Sequence, residues 1–162
     1  MSSHTSPLEN TLSSSGIEIL SPVQAVSINQ VVQSAIRDLQ QQKSQQQIIL
    51  RCETLPVIEA RPHQVFEFFR SLFSIIFQEP PTGSKLFLYI DCRERQENSN
   101  GNPMELRTYE VLISSNIAAA QQWQPRHQHT LARCHELATR MGGRLEVNTG
   151  GSLFLISLQG KL

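Results

Sequence analysis

The chain lacks an excess of either charge: 14 Lys and Arg stand against 14 Asp and Glu over 162 residues, for a formal net charge of +0. Without a basic surplus there is no electrostatic footprint for a phosphate backbone, which argues against DNA or RNA as a partner. No apolar run approaches the ~20 residues that a membrane helix needs. The first residues carry neither a charged n-region nor an apolar h-region, so no secretory leader is legible there. Cysteine is scarce. Cys52, Cys92 and Cys134 lie far apart in apolar patterns with no CxxC, which reads as reduced core thiols in a cytoplasmic protein. No repeat with a period of ~20–50 residues is visible.

Hydrophobic residues make up 39%, enough for one domain with a real core. Residues 1–16, rich in Ser, Thr and Asn, read as a disordered tail, and 17–162 as a single domain. Ser27-Ile28-Asn29-Gln30 has capping-box form. Behind it Ile28, Val31, Val32, Ala35, Ile36 and Leu39 make one helical stripe. Ile48, Leu50 and Cys52 alternate with their neighbours as in a half-buried strand. A glutamine-rich patch, Gln40 to Gln47, closes the helix. Leu55 to Ala60 reads as a short extended piece.

From Pro62 a second helix places Val65, Phe66, Phe69, Leu72, Phe73 and Ile76 on one broad face, with Phe68 and Phe77 towards its edges. Pro80-Pro81-Thr82-Gly83 ends it. Lys85 to Arg93 and Leu106 to Ser114 read as strands joined by a polar hairpin loop around Asn98 to Asn102. Asn116 to Gln128 reads as a loop. Thr130 to Met141 makes a third helix stopped by Gly142. After it one strand follows, a Gly150-Gly151 turn reverses it, and a second apolar strand ends the chain. This order predicts an α+β fold: a two-layer α/β sandwich, its sheet mixed but mostly antiparallel, with about three helices on one face.

Two stretches carry a resemblance. Leu55-Pro56-Val57-Ile58-Glu59-Ala60-Arg61-Pro62 is similar to the lead-in of sensor kinases, and Met141 to Ile156 resembles the closing helix–hairpin of the histidine-kinase-type ATPase domain. The chain therefore resembles the GHKL superfamily, with its Bergerat-type ATPase fold, from roughly Val26 to Leu158. Both stretches are framework motifs and speak for fold rather than activity.

The resemblance also locates the positions that hold ATP and Mg²⁺ in that family. The magnesium-binding Asn of the second helix falls at Ser71, the next Asn at Ile75, the phosphate-facing Lys at Gln78, and the water-activating Glu at Glu67. Where an Asp should accept from the adenine amino group stands Ser114, and where a bare Gly should follow stands Asn116. The glycine-rich entry to the third helix, whose amides would receive phosphates, is Arg126-His127-Gln128-His129-Thr130-Leu131, without a glycine. The nucleotide-site positions Glu67, Ser71, Ile75, Ser114, Asn116 and Thr130 are thus read as vestigial. No catalytic residue is assigned and no cofactor is expected, with ATP and Mg²⁺ the cofactors if the site still works.

Two other readings compete for the polar cluster at the third helix. His127, His129 and His135 beside Cys134 suggest a zinc site, although CxxC and HxxxH spacings are missing. Arg126, His127, His129 and Arg133 suggest an anion site at a helix start. Trp123, in the stretch matching the lid, is expected to fill the space where adenine would lie. His135-Glu136 imitates a phosphoacceptor pair but sits on the wrong helix, and no dimerisation hairpin is expected in the 25 residues ahead of Val26.

The resemblance implies a non-catalytic interaction or regulatory module of bacterial two-component signalling, a degenerate kinase domain. It would dock on a sensor kinase, a phosphotransfer protein or a response regulator, with a homodimer as a further expectation. The alternatives are a divergent ATP-binding kinase or ATPase working with a separate phosphoacceptor protein, and an anti-sigma-type switch protein.

Overall fold

The computed structural model describes residues 22–42, 46–95, 107–118, 123–148 and 152–160. The expected tail, the Asn98–Asn102 loop, the middle of the glutamine patch and the Gly150-Gly151 turn lie outside the described residues.

The described elements run β1 (Gln24–Ser27), α1 (Ile28–Gln42), β2 (Ile48–Cys52), β3 (Val57–Ala60), α2 (Pro62–Gln78), β4 (Leu86–Arg95), β5 (Arg107–Ser115), α3 (Trp123–Arg126), α4 (Gln128–Arg140), β6 (Arg144–Val147) and β7 (Leu153–Gly160). Five strands form one sheet in the order β2-β4-β5-β7-β6. Only β2 and β4 are parallel; the other three neighbours pair antiparallel. The expected α+β sandwich is the fold observed.

Strand alternation sends Leu88, Ile90, Val111, Ile113, Phe154 and Ile156 to one face, all at 0–1% exposure. There they meet the apolar faces of α1, α2 and α4 in one core. Helix α2 lies in the middle of the helical layer, packed on α1 and on α4. That position explains a departure from the expected stripe. Phe68 and Phe77, placed at its edges, are buried, while Phe66 is only half-buried. A helix with neighbours on two flanks and a sheet beneath buries far more than one face.

One element goes unread in the sequence and two further expectations need correction. Residues 24–27 form a strand, β1, which pairs antiparallel with β3 as a separate two-stranded sheet. Four residues ending in a capping serine carry no readable period of their own. The segment expected to be a plain loop after Asn116 contains α3. Strand β2 forms as expected and is half-buried at Ile48 and Cys52, which pack against the core, but Leu50 between them is 38% exposed, because β2 is an edge of the sheet.

Local caps follow the sequence closely. The Gln30 N–H donates to Ser27 Oγ at 3.4 Å, and Pro62 opens α2 after the extended Arg61. Helix α4 ends in a Schellman motif. The Gly143 N–H donates to the Ala138 carbonyl at 2.8 Å and the Gly142 N–H to Thr139 at 3.0 Å. Gly142 holds φ at +77°, and a Cβ on Gly143 would sit 2.0 Å from the Ser157 carbonyl oxygen. The first glycine serves the turn and the second lets β7 approach.

Candidate functional site

Helix α2 carries Glu67, Ser71, Ile75 and Gln78 at spacings that keep them along one side of the helix. Their surroundings differ. Glu67 makes a two-pronged ion pair with Arg133 of α4: Arg133 Nε donates to Oε2 at 2.6 Å and Nη2 to Oε1 at 3.1 Å. Arg133 also lies 3.4 Å from Glu136. The bond to Glu67 holds its guanidinium even further above its ordinary value, so a fixed charge bridges the two helices. Ser71 is half-buried, and its carbonyl accepts from Ser74 Oγ at 2.6 Å. Ile75 is fully buried and Gln78 is exposed.

At the end of β5, alternation separates two neighbouring serines. Ser114 pairs in register with Tyr89 and Leu153, out of phase with Val111 and Ile113 and so on the face away from the helices. Ser115 is in phase with the core, and its Oγ is buried without a hydrogen-bond partner among the described residues. Counting by twos from Val111 would have found it. Asn116 is a staple: its Oδ1 accepts the Phe87 N–H at 2.8 Å and its Nδ2 donates to the Lys85 carbonyl at 2.9 Å. The Asn116 carbonyl accepts from Thr82 at 2.7 Å. Glycine at that position would leave the start of β4 unfastened.

The residue that sequence reasoning missed is Glu79. It follows α2, and its side chain is 1% exposed. One carboxylate oxygen accepts from Arg126 Nη2 at 2.8 Å, and the other lies 3.1 Å from His127 Nε2. His127 is itself buried, beside Trp123 at a ring separation of 5.3 Å. Trp123 is fully buried, 6.0 Å from Phe154, with no partner for its Nε1 among the described residues. A lone acidic residue between Gln78 and Pro80 gives no periodic signal; only the fold brings it under α3.

The expected polar clusters come apart on this frame. Thr130 lies half-buried in the first turn of α4, while His129 and His135 are exposed. Cys134 points into the core, where burial pushes its thiol up to about 12. No group of three or more His, Cys, Asp or Glu suited to a metal exists among the described residues. Arg126, His127 and Arg133, proposed anion ligands, instead face the carboxylates of Glu79 and Glu67. A groove of about 480 Å³ along α3 and α4 is lined by Gln124, Pro125, Gln128, Leu131, Ala132 and His135. Neither Glu67, Ser71 nor Ser114 lines it.

For magnesium-bound ATP the donor set is a poor fit. A divalent cation among phosphates wants hard oxygen ligands. Here the two helix positions offer one hydroxyl and one buried isoleucine, and the nearby carboxylate is already held by an arginine.

No family model and no curated protein matches the chain. Solved structures do. The mycobacterial sensor histidine kinase MprB aligns at a TM-score of 0.60 and 13% identity, over 85% of this chain and 97% of that one. The cytoplasmic segment of histidine kinase QseC aligns at 0.58 and 12%, over 99% and 95%. The ATP-binding domain of PrrB from Mycobacterium tuberculosis aligns at 0.56 and 16%, over 85% and 97%. The chain has the fold of histidine-kinase ATPase domains. At these identities the likeness concerns architecture. No helix among the described residues is long and apolar enough to cross a membrane.

Proposed function

We propose that this chain is a degenerate histidine-kinase ATPase-like domain, a non-catalytic interaction or regulatory module of two-component signalling. The observation that carries this reading is the two-pronged Glu67–Arg133 ion pair. The carboxylate that would activate water is engaged by the helix whose start would receive phosphates. Two further observations support it: Ile75, at the position matching a metal ligand, is buried, and Trp123, in the stretch matching the lid, is packed on Phe154. In this reading the vestigial positions Glu67, Ser71, Ile75, Ser114, Asn116 and Thr130 serve the frame. The partner would be a sensor kinase, phosphotransfer protein or response regulator. Calorimetric titration with Mg-ATP and with ADP tests it. No binding heat into the millimolar range is expected; micromolar affinity weakened by Ser71→Ala or Ser115→Ala would overturn it.

A second reading, a divergent nucleotide-binding kinase or ATPase, draws on one observation. Ser115 Oγ and Trp123 Nε1 are buried polar groups without a partner among the described residues, an arrangement that costs about 1–3 kcal/mol per group in a folded core. A bound polar ligand would satisfy them. The same titration decides between the two.

A further inference from the structure

The two edges of the main sheet are built differently. Strand β6 exposes Arg144 and Glu146, which form an ion pair at 3.2 Å, and charges on an edge discourage another strand from adding to it. Strand β2 has no such protection along Ile48-Ile49-Leu50. Ile49 and Leu50, on opposite faces of the strand, are 42% and 38% exposed, and Phe87, in register with Ile49, is 50% exposed. Among the described residues no strand pairs with the outer edge of β2.

The hydrogen-bond phase of β2 is fixed by its inner partner. The Gln47 carbonyl accepts from the Leu86 N–H at 2.9 Å, and the Glu53 N–H donates to the Ile90 carbonyl at 2.8 Å. Odd-numbered residues therefore face β4, and the N–H and C=O groups of Ile48, Leu50 and Cys52 point outwards.

We infer that the free edge of β2 joins the β2 of a second copy of this chain, antiparallel about a two-fold axis at Leu50, making one sheet continuous across the dimer. This register places Leu50 opposite Leu50 and Ile48 opposite Cys52 in both directions. Every outward-facing group is then used, with two backbone bonds at each of three pairs. Ile48, Leu50 and Cys52 share one face, so the pairs meet apolar on apolar. Gln47 falls opposite Glu53, amide against carboxylate, and no like charges oppose. Moving the axis to Arg51 would set arginine against arginine. An isologous contact needs such self-complementarity, and it commits the edge to a copy of itself.

The mass of the full-length protein by sedimentation and light scattering tests this. A dimer is expected at about 0.1 mM, a range where contacts of ~5–6 kcal/mol are populated. Leu50→Pro removes an outward N–H, a change that edge strands tolerate, together with the side chain that meets its copy at the axis, and should weaken the dimer at least about tenfold with an unchanged circular-dichroism spectrum. Ile48→Cys should form an intermolecular disulfide with the partner's Cys52 under mild oxidation, since bonded antiparallel pairs sit within bridging distance. A monomeric mass overturns the inference and leaves the edge to a strand of a different protein. A dimer indifferent to Leu50→Pro, without the disulfide, also overturns it.

Discussion

Replacing Glu79 by alanine tests whether the buried carboxylate under α3 is structural. Its side chain is 1% exposed and His127 5% exposed, while Arg126 is 53% exposed. The arginine contact therefore resembles a surface pair, with ~0–1 kcal/mol at stake. The histidine contact does not. Losing Glu79 leaves a buried imidazole nitrogen without its partner, about 1–3 kcal/mol. Removing the side chain also withdraws one buried methylene, Cγ, at ~0.8 kcal/mol.

Together the loss should be about 2–4 kcal/mol, or roughly 5–15 °C in Tm for a chain of this size. Glu79→Gln keeps the shape and one hydrogen bond, so it should lose less than half as much. The single tryptophan, Trp123, sits against His127, so urea unfolding followed by its fluorescence reads the stability beside the site. Alanine within about 0.5 kcal/mol of the native protein, the range of ordinary surface substitutions, would refute the reasoning.

Three other outcomes are expected. Glu67 and Arg133 are 28% and 35% exposed, so a double-mutant cycle with alanine should give a coupling of about 0.5–1.5 kcal/mol, smaller in high salt; zero coupling would mean that the pair fastens nothing. Gly143→Ala would drive a Cβ to 2.0 Å from the Ser157 carbonyl and should lower Tm by more than about 5 °C, whereas Gly83→Ala, with open space around it, should change Tm little. Cys134 should resist alkylation in the folded protein at pH 8. Its thiol rises from 9.0 to about 12 on burial, so its contribution is fully present below pH 9.0 and fades as pH climbs towards about 12; Cys134→Ala should flatten that part of the denaturation–pH curve.

The sequence was legible where a period runs long enough to be counted. The stripes of α1, α2 and α4 and the alternation in β4 and β5 each repeat several times, and a repeated period names both the element and its buried side. Gly142 was readable because a helix stop needs a residue comfortable at positive φ. Strand β1 and helix α3 span four residues each, too short to show a period. The exposure of β2 was hidden for another reason. Alternation reports that a strand has two faces, and says nothing of whether its edge has a neighbour.

The site divides in the same way. The sequence by itself determined that residue 75, which the resemblance matches to a metal ligand, is an isoleucine and that no glycine stands at the entry to α4, because those statements depend only on which side chain stands where. Chain order also determined the sandwich. What the tertiary structure decided were the partners: Glu67 held by Arg133, Asn116 stapling β4, Ser115 rather than Ser114 turned towards the helices, and Glu79 buried against His127. Those pairs are 66, 31 and 48 residues apart where they join distant side chains. A sequence pattern records how each residue sits on its own element, and only the packing of elements sets which charges and amides meet.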